Sequence, residues 1–285
     1  MDAVKELKYF LLVMLGIAFV WLFTGGPLRP ESKGPPFFKN PEEKAAQQVT
    51  GGGSDAPGGG GQTGASSLAK ATLFLSAGGA LESDSKNEYV EISAPADNER
   101  PVNITGWRLK NKNGLEVKIG QGAKFIFASP NIGSQPQEDI LLNPGDRAYV
   151  VTGRSPVGTS FRASLCTGYF AQFNDFEPSL PRNCPAPKEE NLPRNLSDNC
   201  LDFIDNLPRC ETPSPIPFDL PESCQAYLNE KINYKTCSEL HKNDPDYYGD
   251  EWRIYLQRDE ELWKQSRETI TLLNNNGQVI DSISY

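Results

Sequence analysis

The residues of this sequence with the most informative chemistry are six cysteines. All of them fall between residues 166 and 237 of the 285-residue chain, and none lies elsewhere. An even number of cysteines confined to a loop-rich segment is typical of a disulfide framework made in an oxidising compartment. Fifteen pairings are possible, and the residues do not choose among them. Our working hypothesis joins nearest neighbours, Cys166 with Cys184, Cys200 with Cys210 and Cys224 with Cys237.

The same cysteines give little indication of a metal or cofactor site. No two of them have the Cys-x2-Cys spacing of structural zinc sites. The single histidine, His241, has no nucleophile at a spacing that catalysis uses. No glycine-rich loop stands between a predicted strand and a helix, as a nucleotide site requires. We therefore predict a protein that is not an enzyme and that has no cofactor.

Four carboxylates within a short stretch suggest an alternative, a calcium site. They are Asp244, Asp246, Asp250 and Glu251, and oxygen ligands from a short acidic loop suit Ca²⁺. The stretch lacks the spacing and the central glycine of an EF-hand loop, and acidic turns are common in a chain with a net charge of -9. The same carboxylates are where an unrecognised hydrolase site could lie.

Aromatic residues around this acidic stretch give a candidate ligand-binding surface. Tyr247, Tyr248 and Tyr255 could form a platform for a carbohydrate or another polymer. Trp252 lies in the sequence EWRIYLQ, where apolar and polar residues alternate as in a strand with one buried face. We therefore predict that Trp252, like Trp107 in the sequence GWRL, lies in the core.

The elements that must position these residues have the pattern of short β-strands. From about residue 72 to 153, alternating apolar and polar runs are separated by Pro, Asn and Gly. Residues 269–273 and 279–285 form two further runs, and the Asn-Gly sequence between them is a strong local signal for a β-hairpin. Short strands with regular turn signals and no sustained helical period indicate an all-β fold, an antiparallel β-sandwich that the hairpin completes.

Four pieces of the sequence, in their order and spacing, resemble the lamin tail domain. The pieces are YVEI at 89–92, ITGWRL at 104–109, NPGDRAYVV at 143–151 and ITLLNNNGQVIDSISY at 270–285. The resemblance covers roughly residues 72–152 and 250–285. It implies an immunoglobulin-like antiparallel β-sandwich, which bacteria also use in secreted and surface proteins, and it brings no catalytic residues.

The chain departs from the lamin tail pattern at two places. Arg267 and Glu268 stand where such domains usually have a Gly-Asp turn before the last hairpin. About 100 residues, 154–248, which hold every cysteine, are inserted where the family has a modest connection. This insertion is rich in proline and poor in aliphatic residues. We therefore expect loops held by disulfides rather than a segment with a core of its own.

The N-terminal part of the chain has a different composition. Residues 9–26 form an uncharged run, long enough for a helix that spans a hydrocarbon core of about 30 Å. We predict a short cytoplasmic segment at 1–8, a transmembrane anchor at 9–26, a disordered Gly/Pro/Ser-rich linker at 27–67 and the folded part at 68–285. A cleaved signal peptide is the alternative for residues 9–26, although Pro27 after the candidate cleavage site is unfavourable.

These features predict a single-pass membrane protein whose C-terminal domain is extracytoplasmic, at the cell surface. The function that we expect is non-catalytic, either cell-surface binding or structural scaffolding. The alternatives are a ligand-binding receptor or adhesin-like protein that uses the insertion, and the hydrolase. Expected partners are the membrane, through the N-terminal helix, and a protein or a cell-envelope polymer. The net charge of -9 argues against nucleic acid as a partner.

Overall fold

The computed structural model describes residues 14–15, 72–127 and 135–285. The predicted segments 1–8, 9–26 and 27–67 lie outside the described residues, except for residues 14 and 15, and they stay predictions. In the part of the chain that the structure describes, no helix is both long enough and apolar enough to span a membrane.

Strands are the most common regular elements among the described residues, and most of their pairings are antiparallel. The strands are β1 (Phe74–Ser76), β2 (Tyr89–Ser93), β3 (Val102–Asn103), β4 (Arg108–Lys110), β5 (Glu116–Lys118), β6 (Leu141–Leu142), β7 (Arg147–Val151), β8 (Phe161–Ser164), β9 (Tyr248–Tyr255), β10 (Thr269–Leu273) and β11 (Val279–Ser284). One sheet has the order β1-β2-β7-β9-β8, a second has the order β11-β10-β4-β5, and β3 pairs with β6. The prediction of a β-rich fold is confirmed.

The two larger sheets share one hydrophobic core. Alternate residues of their strands point into it, which is what the period of two in a strand requires. Each buried Ile or Leu contributes about 1.5–3 kcal/mol through its removal from water. Trp107 and Trp252, which are 9% and 2% exposed, belong to the same core, as predicted. Its other members include Val90, Ile92, Leu109, Val150, Ile254, Ile270 and Leu272.

The strands β10 and β11 form the predicted hairpin. Ile270 lies opposite Ile283 in their antiparallel register. In the turn, the amide of Gly277 donates to the carbonyl of Asn274 at 3.0 Å. Gly277 has a φ of 78°, in the left-handed region that glycine enters without a Cβ clash. Because β10 also pairs with β4, the hairpin completes the four-stranded sheet.

The corner before β10 is organised by the buried carboxylate of Glu268, which is 1% exposed. It accepts hydrogen bonds from the backbone amides of Lys112, Thr269 and Lys264 at 2.7, 2.9 and 3.0 Å. Burial raises the pKa of this carboxyl, but the three amides and the charge of Lys264 outweigh it, so its pKa lies below the ordinary value. The preceding Arg267 has a left-handed φ of 54°.

The central strand β9 differs from the prediction in two respects. It pairs parallel to β7, with Ala148 opposite Trp252, and antiparallel to β8 on its other side. Residues 251–255 are all buried, so β9 has two covered faces instead of the one that its alternation predicted. The physical reason is that the two faces of β9 pack on different parts of the protein. Trp252 and Ile254 lie in the core shared by the two larger sheets, whereas Arg253 and Tyr255 lie against the insertion, where the buried Arg253 donates to the carbonyls of Pro178 and Ser179.

The insertion between β7 and β9 is more ordered than predicted. Besides β8 it contains two 3-10 helices, Thr167–Gln172 and Pro187–Glu189, and the α-helices α1 (Asp198–Asp205), α2 (Glu222–Lys231) and α3 (Tyr234–His241). Helices α1 and α2 enclose a small hydrophobic cluster with two cysteines at its centre. The expectation of loops without a core is therefore wrong, because few aliphatic residues suffice when short helices collect them on one face. The buried members are Leu196, Cys200, Ile204, Cys224, Leu228 and Ile232.

Candidate functional site

The three tyrosines that the sequence suggested as a binding platform lie mostly inside the protein. Tyr247 is 1% exposed and Tyr255 is 8% exposed, whereas Tyr248 is half-buried. The hydroxyl of Tyr247 donates to Ser238 at 3.0 Å, and the ring of Tyr255 stacks on Phe161. The three rings therefore do not form an exposed platform. They belong to a second core that is built largely from the insertion itself. A local pattern of tyrosines does not distinguish such a core from a binding surface.

The four carboxylates of the calcium hypothesis do not come together as a ligand set. Glu251 is buried and pairs with Arg253, whereas Asp250 pairs with Arg147 at 3.6 Å on the surface. Asp244 bonds to His241 at 2.7 Å, and Asp246 is exposed. Successive side chains of a strand point to opposite faces, so Asp250 and Glu251 of β9 point away from each other although they are adjacent in the sequence. Among the described residues, no group of three or more His, Cys, Asp or Glu could hold a metal ion.

All six cysteines form disulfides, but not with the nearest neighbours that we hypothesised. The nearest-neighbour pairing is wrong because the insertion folds back on itself, with α3 against the 3-10 helix at 167–172 and α2 against α1. Three disulfides are typical of an oxidising environment outside the cytoplasm. The pairs are Cys166–Cys237, Cys184–Cys210 and Cys200–Cys224.

A cleft of about 420 Å³ opens in the insertion. Its volume is within the range of about 300–1,000 Å³ that is usual for ligand sites. One wall is Tyr169 from the first 3-10 helix, a second is the proline-rich segment 185–193, and the third runs from Tyr227 on α2 to Leu240 on α3. Rings of proline and tyrosine give the cleft apolar sides, and a few charged side chains stand among them.

Each wall of the cleft is cross-linked by a disulfide. Cys166–Cys237 joins the helix that carries Tyr169 to α3. Cys184–Cys210 fixes the start of segment 185–193, and Cys200–Cys224 joins α1 to α2. Closing loops of this kind stabilises a short segment by several kcal/mol in the chain-entropy account. Each disulfide therefore anchors one point of a wall of this cleft, in addition to stabilising the fold of the insertion.

The polar groups of the cleft are concentrated around Glu190. Burial raises the pKa of Tyr169 to about 12, with further contributions from the charge of Glu190 and from Tyr227. The pKa of Tyr227 is also raised, first by burial and then by Glu190. Both phenols are therefore neutral at physiological pH and can donate or accept hydrogen bonds. Glu239 and the exposed Lys231 add charges to the lining.

Glu190 is held by the only histidine of the chain. His241, the last residue of α3, places Nε2 at 2.9 Å from Glu190 Oε1 and Nδ1 at 2.7 Å from Asp244 Oδ2. Burial lowers the pKa of the imidazole, but the hydrogen bonds and charges of Asp244 and Glu190 outweigh it, so the pKa is raised above its ordinary value. This ion-pair cluster connects segment 185–193 to the end of α3.

Sequence reasoning pointed to the insertion but missed the residues of the cleft. Tyr169 and Tyr227 belong to different helices and line the same cleft only in the folded insertion. The signal that was present is the run of Pro185, Pro187 and Pro193 just after Cys184. Prolines this dense beside a disulfide give a stiff segment suited to one wall of a site.

No protein-family model, curated protein or solved structure matches the chain. In the part of the chain that the structure describes, the cleft of the insertion combines a volume of about 420 Å³ with apolar walls and a few polar groups, which are properties of a binding site.

Proposed function

We propose that this protein is a membrane-anchored, extracytoplasmic, non-catalytic module that binds a cell-envelope partner through the cleft of its cysteine-rich insertion. The observation that carries the proposal is the cross-linking of every wall of that cleft by a disulfide. A binding site that is already rigid loses little conformational entropy when a ligand binds, and this raises affinity. Cys237 itself lines the cleft, so the disulfide framework reaches the cavity as well as securing the loops.

The lining favours an extended polymer that carries hydroxyl groups. Tyrosine rings such as Tyr227 offer an apolar face for stacking and a hydroxyl for hydrogen bonds. Glu190 and Glu239 accept hydrogen bonds from hydroxyl or amide donors. A cell-envelope polymer combines apolar ring faces with hydroxyl donors, so we take it as the first partner to test and a surface protein as the second.

The β-rich part is, in this proposal, an immunoglobulin-like sandwich of the lamin tail type that supports the insertion. Two observations favour it. The two larger sheets share one core. At the corner where lamin tail domains have Gly-Asp, Arg267 adopts the left-handed backbone that suits glycine, and Glu268 binds backbone amides as an aspartate would. The insertion then leaves and re-enters the scaffold at the neighbouring strands β7 and β9.

The disulfides and the N-terminal composition support the proposed location of the binding module. Three disulfides favour an extracytoplasmic position. The uncharged run 9–26 would serve as the anchor, and the linker 27–67 would let the module reach roughly 35 Å from the bilayer, from about 5–6 Å times the square root of the linker length.

The experiment is co-sedimentation of the full chain with purified peptidoglycan sacculi, with Tyr227→Ala as the cleft variant. Phe218→Ala is the matched control, because Phe218 belongs to the same insertion, is 95% exposed and does not line the cleft. We expect Tyr227→Ala to weaken binding roughly tenfold, the effect of losing about 1.4 kcal/mol of ring contacts. Phe218→Ala should bind as the unchanged protein does.

Two results would contradict the proposal. Equal binding by the Tyr227→Ala variant and the unchanged protein would remove the cleft from the interaction. If the unchanged protein does not sediment with sacculi, peptidoglycan is excluded as the partner. Binding to surface proteins would then be measured with the same two variants, Tyr227→Ala and Phe218→Ala. Melting temperatures of both variants must match that of the unchanged protein, so that a loss of binding cannot come from unfolding.

A further inference from the structure

His241 occupies a position in which both of its ring nitrogens face carboxylates. Nδ1 is 2.7 Å from Asp244 and Nε2 is 2.9 Å from Glu190. A neutral imidazole has one N–H, so it can donate to only one of two acceptors, and the other nitrogen would present a lone pair to a carboxylate. The arrangement is satisfied when the ring carries both protons. The geometry is therefore that of an imidazolium between two carboxylates.

The Glu190 side of this cluster belongs to the proline-rich wall of the cleft. The start of that wall is held independently of His241, because Cys184 is in a disulfide and Arg209 pairs with Glu189 at 2.7 Å. Glu190, farther along the same wall, is tied to α3 through His241. Because Leu192 packs against the small hydrophobic cluster of the insertion, loss of the His241 contact would act mainly on Glu190 and Asn191, which line the cleft.

We propose that His241 is a proton-operated clamp on the cleft, which holds the wall at Glu190 against α3 when the ring is protonated and releases it when the proton is lost. This regulatory role rests on the proposed function of the cleft as a binding site. The clamp itself is a property of the insertion, and it can be tested without a ligand.

The charged groups around His241 determine the direction of the effect. Glu190 faces it from the 185–193 segment and Asp244 from the turn after α3. Neighbouring charges on the same segments are engaged elsewhere, Glu189 with Arg209 and Glu239 with Lys235. The remaining ones nearby, Lys188, Lys242 and Asp246, are exposed.

Since the two ion pairs raise the pKa of His241 in the folded protein, the clamp has a defined pH range. A raised folded pKa means that the stabilisation is fully present below the ordinary imidazole value of about 6.5. It is lost as the pH rises through the folded pKa. The wall is therefore held under mildly acidic conditions and released under alkaline ones.

The first measurement is the NMR titration of the imidazole in the full chain, which is unambiguous because the chain has a single histidine. We expect His241 to titrate above about 6.5, and Glu190→Gln and Asp244→Asn each to lower that pKa. Glu239→Gln is the matched control, because Glu239 lines the same cleft from α3 but pairs with Lys235. It should shift the titration less than either of the other two variants.

The second measurement is amide hydrogen exchange of Glu190, whose amide donates to the carbonyl of Pro187 at 3.3 Å, corrected for the intrinsic pH dependence of exchange. We expect the protection of this wall amide to fall roughly fivefold from below to above the titration of His241, the size typical of part-exposed ion pairs. In His241→Gln the protection should not change with pH. A titration at or below about 6.5, or equal protection of the wall on both sides of it, would overturn the clamp. Neither result would bear on whether the cleft binds a polymer.

Discussion

Replacement of Glu268 tests how much one buried carboxylate contributes to the β-rich fold. Its carboxylate accepts three backbone amide bonds of 2.7, 2.9 and 3.0 Å and is almost fully buried. Hydrogen bonds to a charged group contribute about 1.5–3 kcal/mol each. They are not additive, and water can reach some of the amides after truncation. We therefore expect Glu268→Ala to lower the free energy of unfolding by about 3 kcal/mol.

The same carboxylate makes a prediction about pH. Its pKa is lowered in the folded protein, so its stabilisation is present above the ordinary carboxyl value of about 4.3. That stabilisation is lost as the pH falls through the folded pKa. The difference in stability between the unchanged protein and Glu268→Gln should therefore be largest at neutral pH and should shrink under acidic conditions.

Urea unfolding followed by tryptophan fluorescence measures both effects. Glu260→Gln is the matched control, because Glu260 is exposed on the segment just before this corner. If Glu268→Ala and Glu260→Gln have the same midpoint at neutral pH, the corner does not depend on the carboxylate. A difference between the unchanged protein and Glu268→Gln that stays constant with pH would also refute the reasoning, because the charge would then contribute nothing.

Four further predictions concern other parts of the chain. Arg267→Gly should raise the free energy of unfolding by about 0.5–1 kcal/mol, because Arg267 has a left-handed φ of 54° and glycine adopts it without strain; a lower urea midpoint would contradict this. The double replacement of Cys166 and Cys237 by Ala opens a loop of 71 residues and should lower the free energy of unfolding by about 4 kcal/mol, measured as a lower urea midpoint. The variant and the unchanged protein should have the same midpoint when both are fully reduced. Deletion of 279–285 removes β11 and the hydrogen bond that the amide of Leu75 donates to Asp281, so it should lower the melting temperature. An unchanged melting temperature would show that the hairpin is not part of the sheet. A thiol count by alkylation on protein isolated from its source without reductant should find none free, whereas six free thiols would put the domain in a reducing compartment.

The parts of the fold that the sequence predicts are those with local signals. The hairpin of β10 and β11 is specified by an Asn-Gly turn between two alternating runs, all within residues 269–285. Strand β7 follows a Pro-Gly turn, with Gly145 at a φ of 92°. Burial of Trp107 also follows from alternation, because its neighbours on either side are less buried.

Pairings between distant residues leave no such local signal. The parallel contact of β7 with β9 and the disulfide Cys166–Cys237 depend on how the whole insertion folds back. Helices α1 and α3 have capping residues in the sequence, Ser197 and Asn233. Each helix is only eight residues long, too short for its period to stand out from a proline-rich background.

The cleft was inaccessible to sequence reasoning for the same reason. Tyr169, Glu190 and Tyr227 are far apart in the chain, and each is an ordinary residue in its local context. Conversely, Tyr247 and Tyr255 form a conspicuous local pattern and are buried. Aromatic residues are equally suitable for a core and for a binding surface, so only the tertiary structure separates the two roles.

The position of β9 has a consequence for the order in which the protein folds. β7 needs β9 beside it, yet about 100 residues separate the two strands in the chain. At about 5–20 residues per second, a growing chain presents the unpaired edge of β7 for roughly 5 to 20 seconds before its partner is made. An open edge of this kind can pair with another chain. During this interval the insertion delays the pairing of β7, and the nascent chain is more prone to aggregate. A folding factor that shields strand edges would act at this stage.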